Sequence, residues 1–175
     1  NKLQTLRKRS KNYLFPSFET IAGSGPNGAI IHYKSTSLIN RKIKKNDILL
    51  IDSGGQYKWG TTDVTRTICV GKVNNEIKNN FTRVLKGHIA VITSDIKKKY
   101  NGHQIDALAR KSLKKVGLNY SHGTGHGVGF FLNVHEGPQA ISKQNSVKIQ
   151  SGMILSNEPG YYRQGKFGIR IENLI

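Results

Sequence analysis

The chain has 175 residues, with 28 basic and 10 acidic side chains and a net charge of +18. Its length is that of one domain, and its single cysteine, Cys69, excludes an internal disulfide and a cysteine-based zinc site. No apolar run approaches the ~18 residues that cross a membrane, so we expect a cytoplasmic protein without a membrane partner.

The excess of positive charge by itself favours a nucleic-acid partner. The basic runs, such as those at 7–11 and 41–45, are short and dispersed. None of them is interleaved with aromatic residues in the manner of a base-stacking surface. We therefore do not expect nucleic acid to be the partner.

The first half of the chain predicts mainly extended structure. Residues 3–13 are typical of a basic helix that ends before Pro16, and an extended stretch begins over 18–21. A short strand is predicted at Ala29–Tyr33, a buried strand at 47–52 and an alternating strand at 63–70.

The middle of the chain predicts two helices. Apolar stripes run from Asn75 to about Ile96 and from His103 to Val116, where Gly117 provides the C-terminal cap. The chain then returns to strands near 128–134, 153–158 and 167–174.

Four of the ten acidic residues form two pairs, and each pair is placed symmetrically about a predicted turn. Asp52 follows a buried apolar run, and a hairpin centred between Tyr57 and Lys58 would set it beside Asp63 on one face. Two buried carboxylates need a cation between them. Arg66 has the charge, but strand alternation points it to the opposite face from Asp63.

Glu158 and Glu172 repeat this arrangement around a predicted turn at Gly165. Two divalent cations would balance the four carboxylates, and one histidine nitrogen would complete a mostly oxygen-lined, dinuclear site. Such hard ligands suit Mn²⁺.

The segment 121–138, SHGTGHGVGFFLNVHEGP, carries three histidines among five glycines. It lacks the lysine of a phosphate loop, the second histidine of a zincin and the serine elbow of a hydrolase. The G-x-G-x-x-G match at 23–28 contains Pro26 and Asn27 and is interpreted as a loop. A metal-ligand histidine remains as the interpretation, with His122, His126 and His135 as candidates, whereas His88 and His103 on the helices are assigned structural roles.

Five blocks of sequence resemble the catalytic domain of cytosolic-type Xaa-Pro aminopeptidases (aminopeptidase P), of the pita-bread metallopeptidase family. The blocks are GPNGAIIHY (25–33), IDSGGQYKWGTTDVTRT (51–67), VLKGHIAV (84–91), HGTGHGVGFFLNVHEGP (122–138) and EPGYYRQGKFGIRIEN (158–173). With the segments between them they cover nearly the whole chain in the family's order. The resemblance implies an α+β pita-bread fold, a curved antiparallel sheet with helices on its outer face.

The resemblance also implies a role for each site residue. Asp52 would chelate one metal ion, Asp63 and Glu172 would bridge two, and His126 and Glu158 would complete the second. Glu158 would also exchange protons with the attacking water. The remaining catalytic residues would be His32 and His135, which contact substrate, His122 beside the proline-binding side, and Arg170, which holds the acidic groups.

The function implied is a dinuclear-metal aminopeptidase, most consistent with Mn²⁺, that hydrolyses the N-terminal Xaa-Pro bond of peptides with proline in the second position. A prolidase would share all five ligands, and a non-catalytic pita-bread module that binds nucleic acid or protein is the third alternative. By this resemblance, residues 1–175 would be a metallopeptidase catalytic domain, incomplete at both ends and without the N-terminal creatinase-like domains. The resemblance further implies a homodimer for the parent protein.

Overall fold

The computed structural model describes residues 2–95, 98, 100–131 and 133–175, and three α-helices and twelve strands lie within them. The helices are α1 (Lys2–Arg7), α2 (Asn75–Ile92) and α3 (Gly102–Lys114). The strands are β1 (Tyr13–Phe15), β2 (Ile21–Ser24), β3 (Ile48–Ser53), β4 (Gln56–Tyr57), β5 (Gly60–Thr61), β6 (Val64–Cys69), β7 (Gly125–Val128), β8 (His135–Ile141), β9 (Ser156–Asn157), β10 (Gly160–Arg163), β11 (Phe167–Arg170) and β12 (Asn173–Leu174).

Asparagine caps fix the start of both long helices. The Asn74 side chain accepts a hydrogen bond from the Ile77 backbone, and Asn101 forms a reciprocal capping box with Gln104. Gly117 has a φ of 72°, as expected of a glycine after a helix end. Both helices are confirmed, but α2 ends at Ile92 with Thr93 as its C-cap, earlier than the predicted end near Ile96, which itself lies outside the described residues.

The two long helices pack closely against each other and against the strands. A Cβ at Gly87 would lie 2.3 Å from the carbonyl oxygen of Ala109, so only glycine permits this approach of α2 to α3. Helix α2 contacts β9, β10 and β11, and α3 contacts β8. The buried side chains between helices and strands form two clusters, one of Ile48, Val84, Leu113, Tyr120, Phe167 and Ile169, the other of Val91, Ile105, Ala109, Ile141 and Leu155.

The first acidic hairpin forms with a different register from the predicted one. Strands β2, β3 and β6 pair antiparallel, and Asp52 lies opposite Thr65 rather than Asp63. The small β4–β5 hairpin turns at residues 58–59, one position later than predicted. A shift of two residues in register keeps side chains on the same face, so the predicted common face of the carboxylates survives.

The second acidic hairpin is confirmed. Tyr161 pairs with Ile169 and Asn157 with Asn173, which is the register that sets Glu158 opposite Glu172. Gly165, at the centre of the turn, has a φ of 69°. This conformation favours glycine.

Four of the local predictions were wrong. Helix α1 ends at Arg7, because residues from Tyr13 onward pair with β4 as a strand. Residues 25–29 form a 3₁₀-helix with proline in its first turn, so 23–28 is not a plain loop and Ala29–Tyr33 is not a strand. The strand expected near 128–134 divides into the end of β7 and the start of β8 around a loop, in which Leu132 is outside the described residues.

Among the described residues, no helix combines the length and the apolar character needed to span a membrane.

Candidate metal centre

All nine sequence-predicted site residues line one cleft of about 430 Å³. They come from distant parts of the chain, because β3, β6, β7 and the C-terminal hairpin converge there. The nine are His32, Asp52, Asp63, His122, His126, His135, Glu158, Arg170 and Glu172.

Three of these side chains form the closest group of potential metal ligands. One ligand atom each from Asp63, His126 and Glu172 lies within 4.8 Å of the other two. His126 Nε2 is 3.3 Å from Asp63 Oδ2 and 3.4 Å from Glu158 Oε1. The imidazole therefore faces carboxylates from both acidic hairpins.

Asp52 lies at the same cleft but is held by an arginine. Arg170 Nη2 donates to Asp52 Oδ2 over 2.6 Å, and Arg170 Nε donates to Thr65 Oγ1 over 3.1 Å. Thr65 Oγ1 donates in turn to Glu172 Oε2 over 2.6 Å. The guanidinium thus places a buried positive charge beside the carboxylates, as the resemblance implied for Arg170. Arg66 instead donates to the backbone oxygen of Glu172.

The carboxylates are electrostatically crowded. Burial raises the pKa of Glu172 to about 9, and the negative charges of Glu158, Asp63 and Asp52 add to this effect. Burial likewise raises the pKa of Glu158 to about 7, and it raises the pKa of Asp52 despite the attraction of Arg170. Each shift means that the charged form is disfavoured until a cation is present.

Burial and the neighbouring charges also shift the pKa values of the histidines in the cleft. Burial lowers the pKa of His126, but the hydrogen bond to Asp63 and the charge of Glu158 outweigh it and raise the pKa overall. The ring of His135 lies 3.9 Å from the ring of His126, and burial together with that neighbour lowers the pKa of His135. His32 is exposed on the turn after the 3₁₀-helix and lines the cleft.

A hydrogen-bond chain fixes His122 on the other side of the cleft. Arg170 Nη1 donates to the Tyr162 hydroxyl over 2.8 Å, and that hydroxyl lies 2.8 Å from His122 Nε2. His122 Nδ1 donates to the carbonyl of Gly123, so Nε2 accepts a hydrogen bond from the Tyr162 hydroxyl. Burial lowers the pKa of His122 to about 4, which keeps the ring neutral.

Sequence reasoning missed four residues that hold the site together. Thr65 and Tyr162 bond to Arg170, as described above, and Ser156 links the backbone of His126 to Glu158 Oε1. Arg110 donates to the carbonyls of Tyr120 and His122, which fixes the histidine loop against α3. Only Thr65 had a sequence signal, because strand alternation placed it on the face of Asp63.

Two buried oxygens show that the donor set fits divalent cations. Asp52 Oδ1 and Asp63 Oδ1 are buried without a hydrogen-bond partner in the described structure. A buried carboxylate oxygen left unsatisfied is costly unless a cation binds it. The cluster of carboxylate oxygens with one imidazole nitrogen is suited to hard divalent ions.

A cluster of this kind could hold metal ions, and comparison with known proteins places the chain in a family. Residues 1–175 match the model of metallopeptidase family M24, and the chain belongs to that family. It is 50% identical to Xaa-Pro aminopeptidase 1 of Dictyostelium discoideum, over 99% of this chain and 28% of that protein. It is also 50% identical to aminopeptidase P2 of Arabidopsis thaliana, over 100% of this chain and 25% of that protein.

Solved structures agree with this assignment. An X-prolyl aminopeptidase from Caenorhabditis elegans, described as a cytosolic enzyme with a di-nuclear active site, superposes with a TM-score of 0.92. The two chains are 42% identical, over 99% of this chain and 28% of that one. The predicted α+β pita-bread fold is therefore confirmed, and the chain spans little more than a quarter of the length of these relatives.

Proposed function

We propose that the protein is a dinuclear-metal aminopeptidase that hydrolyses the N-terminal Xaa-Pro bond of peptides. The observation that carries this proposal is the convergence of four carboxylates and His126 at one cleft. Two of the carboxylate oxygens there are buried without a hydrogen-bond partner in the described structure. The high identity to Xaa-Pro aminopeptidases over the whole chain supports the choice of substrate.

The proposed metal ligands are Asp52, Asp63, His126, Glu158 and Glu172. Four carboxylates carry a formal charge that two divalent ions would balance, and the oxygen-rich set supports Mn²⁺ as the preferred ion. When bound, the ions supply Lewis acidity and lower the pKa of water.

Glu158 is the proposed proton carrier. Its carboxylate lines the cleft, and a carboxylate within hydrogen-bond reach of a water can act as its general base. Ser156 Oγ lies 3.1 Å from Glu158 Oε1 and holds the carboxylate in one orientation. Glu158 is thus placed to take a proton from the attacking water and to return it to the leaving proline nitrogen.

The histidines are proposed to bind the peptide. His32 and His135 line the open part of the cleft, where an N–H can donate to the scissile carbonyl oxygen as negative charge develops on it. His122 is held neutral by burial and by the chain from Arg170 through Tyr162, so it shapes the proline side rather than adding charge. Arg170 is proposed to orient Asp52.

The test is Mn²⁺-dependent release of the N-terminal residue from an Xaa-Pro-Pro peptide, with an Xaa-Pro dipeptide assayed in parallel. Cleavage of the longer peptide, lost in Asp63→Asn, is the expected result. A protein that binds two Mn²⁺ but cleaves neither peptide would refute the substrate assignment, and one that binds no Mn²⁺ would refute the metal site.

Prolidase is the second candidate. The prolidase of Pyrococcus furiosus superposes with a TM-score of 0.89 and is 31% identical, over 99% of this chain and 50% of the prolidase. The lower identity makes it the weaker candidate, and cleavage of the dipeptide alone would establish it.

We also propose a cellular location, an oligomeric state and an absence of nucleic-acid binding for the enzyme. A cytoplasmic location is supported by the cytosolic C. elegans relative. A homodimer, and the absence of nucleic-acid binding despite the charge of +18, remain predictions. Gel filtration with light scattering tests the first, and a salt-dependent affinity for DNA or RNA in a protein without bound metal would favour the non-catalytic alternative.

A further inference from the structure

His88 lies on α2 and is not among the residues that line the cleft, so sequence reasoning gave it only a structural role. The side chain is buried, with 5% of the residue exposed. Its Nδ1 lies 3.0 Å from the carbonyl oxygen of Asn157, and Asn157 Nδ2 donates back to the carbonyl of His88 over 3.0 Å.

These two hydrogen bonds tie α2 to the first arm of the C-terminal hairpin. Asn157 directly precedes Glu158 on that arm. Glu158 and Glu172 lie opposite each other in the register of the hairpin and line the cleft. The imidazole therefore contacts the backbone next to one of the two glutamates.

The pairing of the arms explains why a polar side chain is needed at this point. Hydrogen-bonded pairs alternate along an antiparallel ladder. Leu155 and Ile175 exchange two backbone bonds of 3.0 and 2.9 Å, and the same alternation makes Pro159 and Ile171 a hydrogen-bonded pair. Ile171 donates to the Pro159 carbonyl over 3.3 Å, but proline has no N–H to return.

The carbonyl of Ile171 thus lacks its ladder donor at the pair adjacent to the two glutamates. The ladder between the arms is therefore weaker here than a complete hydrogen-bonded pair would make it. His88 binds the backbone of Asn157, two residues before Pro159, and so ties this arm to α2 beside the incomplete pair. An apolar residue of similar volume could not make the ring hydrogen bond.

We propose that His88 is a positioning residue that fixes the separation of Glu158 and Glu172 from behind the cleft. Because the two arms carry one glutamate each, a small relative slide of the arms changes the distance between the carboxylates. The imidazole opposes that slide by binding the arm of Glu158 to α2 at Asn157. This inference rests on the proposed metal site and extends it to a residue that contacts neither metal nor substrate.

Four variants test the proposal. His88→Leu removes all ring hydrogen bonds, whereas His88→Asn keeps an N–H near the position of Nδ1. Val91→Ala is the matched control, since Val91 is on the same helix, is 2% exposed and packs only through apolar contacts in the second cluster. If His88→Leu does not fold, His88→Met replaces it, because its side chain is of similar length and has no N–H to donate.

The readouts are the Mn²⁺ affinity and stoichiometry by calorimetry, and kcat and KM for an Xaa-Pro-Pro peptide. Residues that orient metal ligands typically affect affinity or activity by 10–100-fold. For His88→Leu we expect an Mn²⁺ affinity and a kcat each about tenfold lower, a KM within about twofold of wild type and substantial recovery in His88→Asn. Val91→Ala should lower the melting temperature but keep the wild-type affinity and kcat.

A His88→Leu protein that loses only thermal stability, as Val91→Ala does, would overturn the proposal. Wild-type protein that binds Mn²⁺ but cleaves no Xaa-Pro peptide would overturn the proposed function alone, since the Mn²⁺ affinities would still report the role of His88. Wild-type protein that binds no Mn²⁺ would overturn both.

Discussion

Replacing Arg170 by methionine is expected to make the stability of the protein depend on divalent metal. Arg170 is 2% exposed and donates to Asp52, Tyr162 and Thr65 over 2.6, 2.8 and 3.1 Å. In its absence the carboxylate of Asp52, whose Oδ1 already lacks a partner, would be left buried without its ion-pair partner. Removing one partner of a buried ion pair costs about 3–5 kcal/mol, so we expect a loss of that size without metal.

Metal should restore part of this loss. A ligand that binds only the folded state stabilises it in proportion to its affinity. A divalent ion at Asp52 would replace the missing positive charge, so Mn²⁺ should stabilise Arg170→Met more than wild type. We expect a difference of at least about 1.4 kcal/mol, which corresponds to a tenfold difference in apparent affinity.

Urea unfolding followed by circular dichroism, in EDTA and in excess Mn²⁺, measures both quantities. Arg110→Met is the matched control, because Arg110 is 7% exposed and its Nε is 2.7 Å from Asp106 Oδ2. The control should lose a similar free energy of unfolding but gain no more from Mn²⁺ than wild type does. An equal gain in both variants would show that Arg170 does not compensate the charge of a metal ligand.

Three other predictions concern the cleft. Asp63→Ala should lose bound Mn²⁺ and peptidase activity together, and unchanged stoichiometry by atomic absorption would contradict the bridging role. Gly125→Ala should lower the free energy of unfolding in urea by about 3 kcal/mol and lower kcat, since its Cβ would lie 1.9 Å from the Ser156 carbonyl oxygen. The control Gly60→Ala, whose Cβ would have no atom within 4 Å, should change that free energy by less than about 0.5 kcal/mol. The pKa of His122 falls from 6.5 to about 4 on folding, so the unfolded chain binds the proton more tightly. His122 therefore contributes a loss of about 3 kcal/mol in the free energy of unfolding as the pH falls from 6.5 to 4. His122→Gln should remove this contribution, and an unchanged pH profile of unfolding would show that His122 is not its source.

The sequence identified the cleft more completely than it identified the local structure. The hairpin around Gly165 was predictable because a short turn fixes the register of its arms. The hairpin at Asp52 was placed two residues out of register because symmetry between the carboxylates was assumed. The real turn, at residues 58–59, is set by the pairing of Tyr57 with Gly60.

The supporting residues were beyond the reach of sequence patterns. Strand alternation separates faces, but it does not reveal that Tyr162 and His122, 40 residues apart, share a hydrogen bond. The same applies to His88 and Asn157, which are separated by 69 residues. Such pairs depend on how α2 and the loops pack on the strands, and a single sequence without its fold carries no record of that packing.

The spread of the site along the chain has a consequence for how the protein is made. The Arg170–Asp52 pair joins residues 118 apart, and the Thr65–Glu172 bond joins residues 107 apart. During translation, Asp52 and Asp63 leave the ribosome long before Arg170 and Glu172 exist, so the first acidic hairpin spends that interval without its counter-charge. Long-range pairing of this kind is slow to form and leaves strand edges exposed meanwhile. A divalent ion would therefore meet the complete set of carboxylates only after residue 172 has been made, and until then the first acidic hairpin would lack its ion-pair and hydrogen-bond partners from the second.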